Sequence, residues 1–368
     1  VSQVRIAMDA RKLFDGGVGT YIREVLGACA AAPRGYTFSA LVDPADLGRV
    51  RWAGAVSEHP VTAGKYGLLE HVVVPAAARR AGATLLHEPH YTLPLGWTGR
   101  AVSTIHDLTH LRFAHFYPPG AALYARAMAG LAVARSQRVI VDSEDTRADV
   151  LERLHAPEHK VRVVPLGVSP ALAPPAPVRV AAYRAARELP RDYLLYVGAR
   201  KRHKNLALLF DALAVLPPGD RPPLVLSGRP FAPGDPLGAR LVARGLGGLV
   251  HFAGDPAADD ELACLYGGAI LYVQPSLAEG FGLPPLEAMA CGTPVLSSNA
   301  GALPEVVGDA GTLLAPRDPA AWADAIRRLT RDAAERARLA ECGRRRAATF
   351  TWERTGRMTL DVYAEALA

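Results

Sequence analysis

The sequence predicts an α/β protein built from two doubly wound domains. Three observations carry this reading. Short apolar runs of strand length alternate with longer helical ones along the 368 residues, which implies parallel sheets covered on both faces. The alternation breaks once, where Pro165, Pro170, Pro174, Pro175 and Pro177 crowd together and cannot share a regular element. In each half a strand runs through a glycine-bearing loop into a helix, and such loops sit at the carboxyl ends of parallel strands, where open sheets bind ligands.

Val4–Met8 reads as the first strand, running into Gly16-Gly17-Val18-Gly19, with Thr20 capping a helix to about Ala32. Tyr36–Val42 is the next strand; residues 50–64 have no clear pattern, and Tyr66–Arg80 is expected to be helical. Strands follow at Thr84–His87, Ala101–Ile105, Arg138–Val141 and Val161–Val164, with helices at Ala121–Arg135 and after Asp142-Ser143. A linker is expected over 166–178.

Beyond it, strands are expected at Tyr193–Val197, Leu224–Ser227, Val250–Phe252, Ile270–Gln274, Pro294–Ser297 and Gly311–Leu314. Helices are expected near 205–216, 236–245, 259–267, 284–291, 319–330 and 332–347, with a last one from Trp352 to Leu367. No sequence repeat relates the halves. The expected domains are therefore 1–170 and 178–352, each aiming its strand ends into a central cleft, with 353–368 as a terminal helix.

Composition narrows the function. A net charge of +6 from 42 basic and 36 acidic residues suits anionic small ligands and does not argue for nucleic acid. The four cysteines form no CxxC pair and read as small buried thiols of a reducing compartment. No signal peptide is visible at Val1 and no apolar run reaches membrane-spanning length. These features predict a cytoplasmic protein and leave room for peripheral membrane contact.

Four stretches carry candidate chemistry. Gly16–Gly19 could turn backbone N–H groups toward a phosphate at a helix N-terminus, or could be a tight turn only. Arg200, Lys201, Arg202, His203 and Lys204 gather cationic charge ahead of the helix opened by Asn205, an unfavourable placement unless an anion joins it. His106 stands just past a strand end and could bond a sugar hydroxyl or a phosphate; His87, His90, His110 and His115 could line an acceptor pocket or merely cap turns. Glu279 and Glu287 bracket Gly280-Phe281-Gly282-Leu283-Pro284-Pro285-Leu286. They could be an acid/base couple, but straddling a strand-to-helix loop suits two grips on one ligand, as carboxylates accept from vicinal hydroxyls. No metal-ligand spacing, P-loop, GxSxG elbow or D-x-D pair occurs.

These residues resemble the retaining glycosyltransferases of family 4, which have the GT-B fold. The likeness rests on the E-x7-E stretch Glu279–Glu287, supported by Gly16–Tyr21, His106-Asp107-Leu108, Val141–Glu144, Val163–Val168, Lys204-Asn205, Gly292–Val295 and Thr351-Trp352-Glu353. His106–Phe113 followed by Tyr117-Pro118-Pro119 is similar to the branch with many mannosyl- and rhamnosyltransferases. The resemblance implies a donor-binding second domain and an acceptor-side first domain, with the last helix packing back on the first domain. Glu279, His106 and Lys204 would be catalytic: Glu279 on the donor sugar hydroxyls, Lys204 on the diphosphate, His106 on the sugar's reacting face. Gly17, Arg200, Arg202, Phe281, Gly282, Leu283 and Glu287 would complete the donor site, with Glu287 accepting from the ribose. One departure is Ala199, where many members carry a diphosphate-clamping arginine.

The expected function is metal-independent transfer of a sugar, mannose first, from a nucleotide-diphosphate sugar (GDP-mannose first) to a glycan, lipid-linked or small-molecule acceptor. No resident cofactor is expected. A GT-B phosphorylase or sugar-nucleotide epimerase, and a non-catalytic nucleotide- or carbohydrate-binding subunit, are the alternatives.

Overall fold

The computed structural model describes residues 3–368; Val1, on which the signal-peptide reading falls, lies outside them. The chain forms two compact units, one of Val1–Gly167 with Thr351–Ala368 and one of Val168–Phe350. In chain order the first unit contains β1 (Arg5–Asp9), α1 (Gly16–Ala31), β2 (Thr37–Val42), β3 (Val56–Pro60), α2 (Glu70–Arg80), β4 (Leu85–Glu88), β5 (Arg100–Ile105), α3 (Thr109–Arg112), α4 (Ala121–Arg135), β6 (Arg138–Val141), α5 (Glu144–Leu154) and β7 (Val161–Val163). The second contains α6 (Pro177–Ala186), β8 (Leu194–Tyr196), α7 (Leu206–Val215), β9 (Leu224–Leu226), α8 (Pro236–Ala243), β10 (Val250–Phe252), α9 (Asp259–Gly267), β11 (Leu271–Gln274), α10 (Leu283–Ala290), β12 (Val295–Ser298), α11 (Leu303–Val307), β13 (Thr312–Leu314), α12 (Pro319–Arg331) and α13 (Ala333–Ala347). Then α14 (Trp352–Leu367) returns to the first unit.

Both sheets are wholly parallel, in the orders β3-β2-β1-β4-β5-β6-β7 and β10-β9-β8-β11-β12-β13. Each order reverses once, between β1 and β4 and between β8 and β11, and ligands of such sheets bind outside the strand ends at that reversal. Strands buried on both faces explain the continuous apolar runs: Leu194, Tyr196, Leu224, Leu226, Leu271 and Val273 all join one core with Leu209, Leu213 and Trp322 from α7 and α12.

Several local expectations needed correction. Helix α1 begins at Gly16, not at Thr20, so Gly17 lies in its first turn; Thr20 instead sits within it and donates to the Gly16 carbonyl. The patternless stretch holds β3, an edge strand whose half-exposed residues leave no apolar signature. The chain passes between units at Gly167–Val168, within the stretch 166–178 expected as a linker, and Pro177 near its end occupies the first turn of α6, where its missing N–H costs nothing. Helix α11 was too short to show a period.

The terminal helix is held to the first unit by a buried polar chain. Tyr363 meets His87 Nδ1 at 2.6 Å, His87 Nε2 meets Thr104 at 2.8 Å, and Thr104 meets the Tyr21 hydroxyl at 2.8 Å. His87 is therefore a structural tie and not a pocket-lining residue, and burial lowers it to about 3, so it stays neutral. Replacing Thr104 by Val leaves two buried groups without their partner. Urea unfolding should show a loss of about 2 kcal/mol, since orphaned polar groups keep their full desolvation cost.

Candidate active site

The second unit brings together two loops that are 75 residues apart in the chain. One follows β8 and carries Arg200–Asn205; the other follows β11 and carries Ser276–Gly282. These are the two strands at the sheet's reversal. Lys204 Nζ donates to Glu279 Oε2 at 2.5 Å, while Glu279 Oε1 accepts from Ser276 at 2.6 Å and Gln274 at 2.7 Å. With both oxygens engaged, Glu279 is only 9% exposed without being an orphaned buried charge.

The scaffold around this pair is backbone-deep. The Leu277 N–H donates to the His203 carbonyl at 2.8 Å, and the Asn205 amide donates to the Pro275 and Pro316 carbonyls. Asn205, at φ 56, stands immediately before α7 as expected, but its side chain does not cap the helix and instead ties three loops. On the other side the Ala302 N–H donates to the Glu279 carbonyl at 3.0 Å, and Gly301 passes so close that a Cβ would stand 2.6 Å from the Glu279 nitrogen. Gly282, at φ 118, turns the chain into α10, placing the amides of Phe281, Gly282 and Leu283 at the helix start, where N–H groups have no helical acceptor.

At the carboxyl ends of β8, β9 and β10 lies a cavity of about 650 Å³ whose wall includes Gly198, Ala199, Arg200, Ser227, Gly228 and Asp255. Arg200 is fixed within it: its guanidinium donates to the Ser227 and Arg229 carbonyls and lies 4.6 Å from the Phe231 ring centroid and 5.1 Å from that of Phe252. Arg202 stands exposed in a short turn with His203 and Lys204. Glu287, one turn into α10, accepts from the Tyr266 hydroxyl at 2.7 Å. Burial raises this carboxyl to about 7, the Tyr266 bond opposing and Asp259, a residue of the cavity wall, adding.

In the first unit, β5 and β6 are neighbours and deliver His106 and Asp142 side by side. His106 Nδ1 meets Asp142 Oδ2 at 2.7 Å, and Tyr21 packs edge-on to the imidazole with ring centroids 4.7 Å apart. Nε2 is buried without a hydrogen bond of good geometry. Burial would lower the ring's proton affinity, but the Asp142 charge and hydrogen bond, aided by Asp107 and the Pro89 carbonyl, raise it. Adjacent Asp107 is not the partner; it accepts from the N–H and hydroxyl of Thr109 instead. His110 stacks near Tyr117 at 4.1 Å and His90 near Tyr91 at 4.0 Å. Gly17 is exposed in the first turn of α1.

Sequence reasoning missed Gln274, Ser276, Tyr266 and Asp142, which hold Glu279, Glu287 and His106. Only Gln274 and Ser276 left a signal, as polar residues closing an apolar strand two positions apart. The four cysteines are free, three of them buried. Among the described residues no group of three or more His, Cys, Asp or Glu is placed to hold a metal ion, and no helix is long and apolar enough to cross a membrane.

Two parallel doubly wound units, with a cation–carboxylate pair and a cavity at the strand ends of one, fit a glycosyltransferase of the GT-B type. The comparisons agree. Residues 15–172 match the model of Glycosyltransferase Family 4, and residues 183–346 match that of Glycosyl transferases group 1. The chain belongs to this family of glycosyltransferases. It is 32% identical over 283 residues to the O-antigen chain mannosyltransferase B of Escherichia coli, covering 76% of this chain and 74% of the relative. It is 31% identical to a D-inositol 3-phosphate glycosyltransferase of Salinispora tropica, covering 96% and 82%. Among solved structures, a sucrose-phosphate synthase from Thermosynechococcus elongatus superposes with a TM-score of 0.80 at 26% identity, covering 98% of each chain. Anabaena HepE in complex with UDP and glucose shares the fold, with a TM-score of 0.78 at 18% identity, covering 98% of this chain and 99% of that one.

Two outcomes test this geometry. A carboxyl raised by folding contributes stability that is fully present below its unfolded value of 4.5 and lost as pH rises through about 7. Glu287→Gln, always neutral, should match the wild type near pH 4 and exceed it at pH 8 by on the order of 2 kcal/mol in urea unfolding. Asp142→Asn removes the charge that raises His106, so the imidazole followed by NMR should titrate at lower pH than in the wild type; an unmoved titration would refute the pairing.

Proposed function

We propose that the protein transfers a hexose, mannose first, from a nucleoside-diphosphate sugar to an acceptor hydroxyl, with retention at the anomeric carbon and no metal ion. The Lys204–Glu279 pair at the sheet reversal carries this reading. A diphosphate is a stronger partner for Lys204 than a carboxylate already served by Ser276 and Gln274, so donor binding draws Lys204 toward phosphate. Glu279 Oε2 is then released to accept from sugar hydroxyls. Phe281, Gly282 and Leu283 offer amides to the same phosphates, Arg202 adds charge, and Glu287 takes the ribose hydroxyls. Arg200, held against two aromatic rings at the cavity wall, stands in for the arginine absent at Ala199 by contributing field, not a direct clamp.

Catalysis on this reading is electrostatic. As the anomeric C–O bond breaks, charge grows on the leaving diphosphate, where Lys204 and the loop amides meet it. The acceptor hydroxyl adds to the face the diphosphate leaves and passes its proton to a phosphate oxygen. His106, its Nδ1 occupied by Asp142, uses Nε2 toward the sugar, and Gly17 in the first turn of α1 contributes amides toward phosphate. Mannose and a glycan or lipid-linked acceptor are supported by the O-antigen mannosyltransferase relative; an inositol phosphate is the second acceptor, supported by the inositol 3-phosphate glycosyltransferase relatives.

Among GDP-, UDP-, ADP- and dTDP-sugars, GDP-mannose should raise the melting temperature most, because a ligand of the folded state stabilises it by mass action. Transfer should persist in EDTA and give a retained anomer by NMR; an inverted product would contradict the mechanism. Glu279→Ala and Lys204→Ala should each lower kcat/KM by about a hundredfold or more, the scale of losing one electrostatic contact in a transition state, and near-wild-type values for both would remove the assignment.

A further inference from the structure

The first sheet has its own reversal, between β1 and β4, and charged side chains are buried there. Asp9 ends β1 and Glu88 ends β4; Arg11 and Lys12 follow β1, and Glu70 opens α2. All five are buried. Arg11 has every donor engaged. Its Nε donates to Asp9 at 2.9 Å, Nη2 to Asp9 at 2.6 Å and Glu70 Oε2 at 3.2 Å, and Nη1 to the Ala63 and Gly64 carbonyls. Glu88 and Lys12 are left over. Glu88 Oε2 is buried without a hydrogen-bond partner among the described residues, as is Glu70 Oε1. Among those residues no carboxylate lies within ion-pair distance of Lys12, whose ammonium stands 4.3 Å from the Tyr66 ring centroid. Yet Lys12 and Glu88 sense each other: of the two cations acting on Glu88, Lys12 acts more strongly than Arg11.

A buried carboxyl without a hydrogen bond is costly, so its presence at a ligand-binding point of the sheet calls for a partner. Two opposite charges that interact without touching suit a group that accepts from one and donates to the other, and a hydroxyl does both. The surrounding charge selects the kind of hydroxyl compound. Asp9, Glu70 and Glu88 outnumber Arg11 and Lys12, and burial together with Asp9 holds the Glu88 carboxyl well above its usual range. A phosphate brought here would add to a buried surplus of negative charge, whereas a neutral polyol would not. The pair also lies on the side of the sheet that carries His106. His90, kept neutral by burial, is within electrostatic reach of both Lys12 and His106. Tyr66, half exposed and with its ring 5.6 Å from that of His90, forms the rim.

We infer that Lys12 and Glu88 form a binding site for a neutral sugar acceptor and discriminate against phosphorylated ones. Lys12 donates to one hydroxyl of the acceptor, and Glu88 Oε2 accepts from that hydroxyl or its neighbour. The inference rests on the proposed transfer reaction and deepens it, because it favours the glycan acceptor over the inositol phosphate. Both residues bind and orient the acceptor; neither is placed at the reacting atoms.

The test is saturation-transfer NMR of the full chain with the methyl α-glycosides of mannose, glucose and galactose, and with the 6-phosphates of the same three sugars. At least one neutral glycoside should bind, and more tightly than its phosphorylated counterpart. Glu88→Gln and Lys12→Met should each weaken that binding by about tenfold or more, the scale of one hydrogen bond to a charged group. Glu88→Gln should melt no lower than the wild type, because it removes a buried charge that has no hydrogen bond. Tighter binding of a sugar phosphate, no binding of any neutral glycoside, or unchanged binding in both variants would each overturn the inference. So would a loss of binding that comes with a lower melting temperature in both variants, which would mark the pair as structural. A failed GDP-induced thermal shift alongside intact, Glu88-dependent glycoside binding would count against the transfer reaction alone.

Discussion

The ion pair between Lys204 and Glu279 is the contact on which the rest of the second unit depends. It joins the loops after β8 and β11, and so closes the point where the strand order reverses. A half-buried lysine and a buried glutamate are costly to place separately, and their mutual charge offsets only part of that cost. The remainder comes from Ser276 and Gln274 on the free oxygen and from the backbone ties through His203, Asn205 and Ala302. On the proposed reading such a pair is a prepared site: its members are already desolvated and oriented before a diphosphate arrives.

The same logic recurs with different chemistry in the first unit. His106 and Asp142 follow adjacent strands, and one imidazole nitrogen is spent on the carboxylate while the other is buried, with the Pro89 carbonyl acting on the ring. Beneath them the His87–Thr104–Tyr21–Tyr363 chain fixes the sheet to α14 with neutral hydrogen bonds only. Neighbouring histidines thus divide the labour: burial without a charged partner makes His87 structural, whereas burial against a carboxylate keeps His106 chargeable.

How much of this was legible in the sequence follows from the range of the forces involved. Strand and helix patterns arise from local burial, so the parallel α/β architecture and nearly all of the strands could be read from apolar runs. The E-x7-E stretch was equally visible because its glycines, prolines and acids lie within one loop. What failed was where local pattern and tertiary context part. Thr20 looks like a cap, yet Asp15 and the glycines already start the helix. The partners of Glu279, Glu287 and His106 could not be read at all. Lys204, Tyr266 and Asp142 reach them only through sheet order, which no window of sequence contains, and Asp107, the obvious neighbour of His106, is engaged with Thr109.

The central claim is that one carboxylate, Glu279, exchanges Lys204 for the donor sugar. Calorimetric titration of wild type and Glu279→Gln with GDP and with GDP-mannose tests it most directly. The account predicts that Glu279→Gln keeps or improves GDP affinity, because Lys204 is freed, and loses the extra affinity that the mannosyl group adds. Equal loss for both ligands, or retention of the full sugar increment, would contradict it.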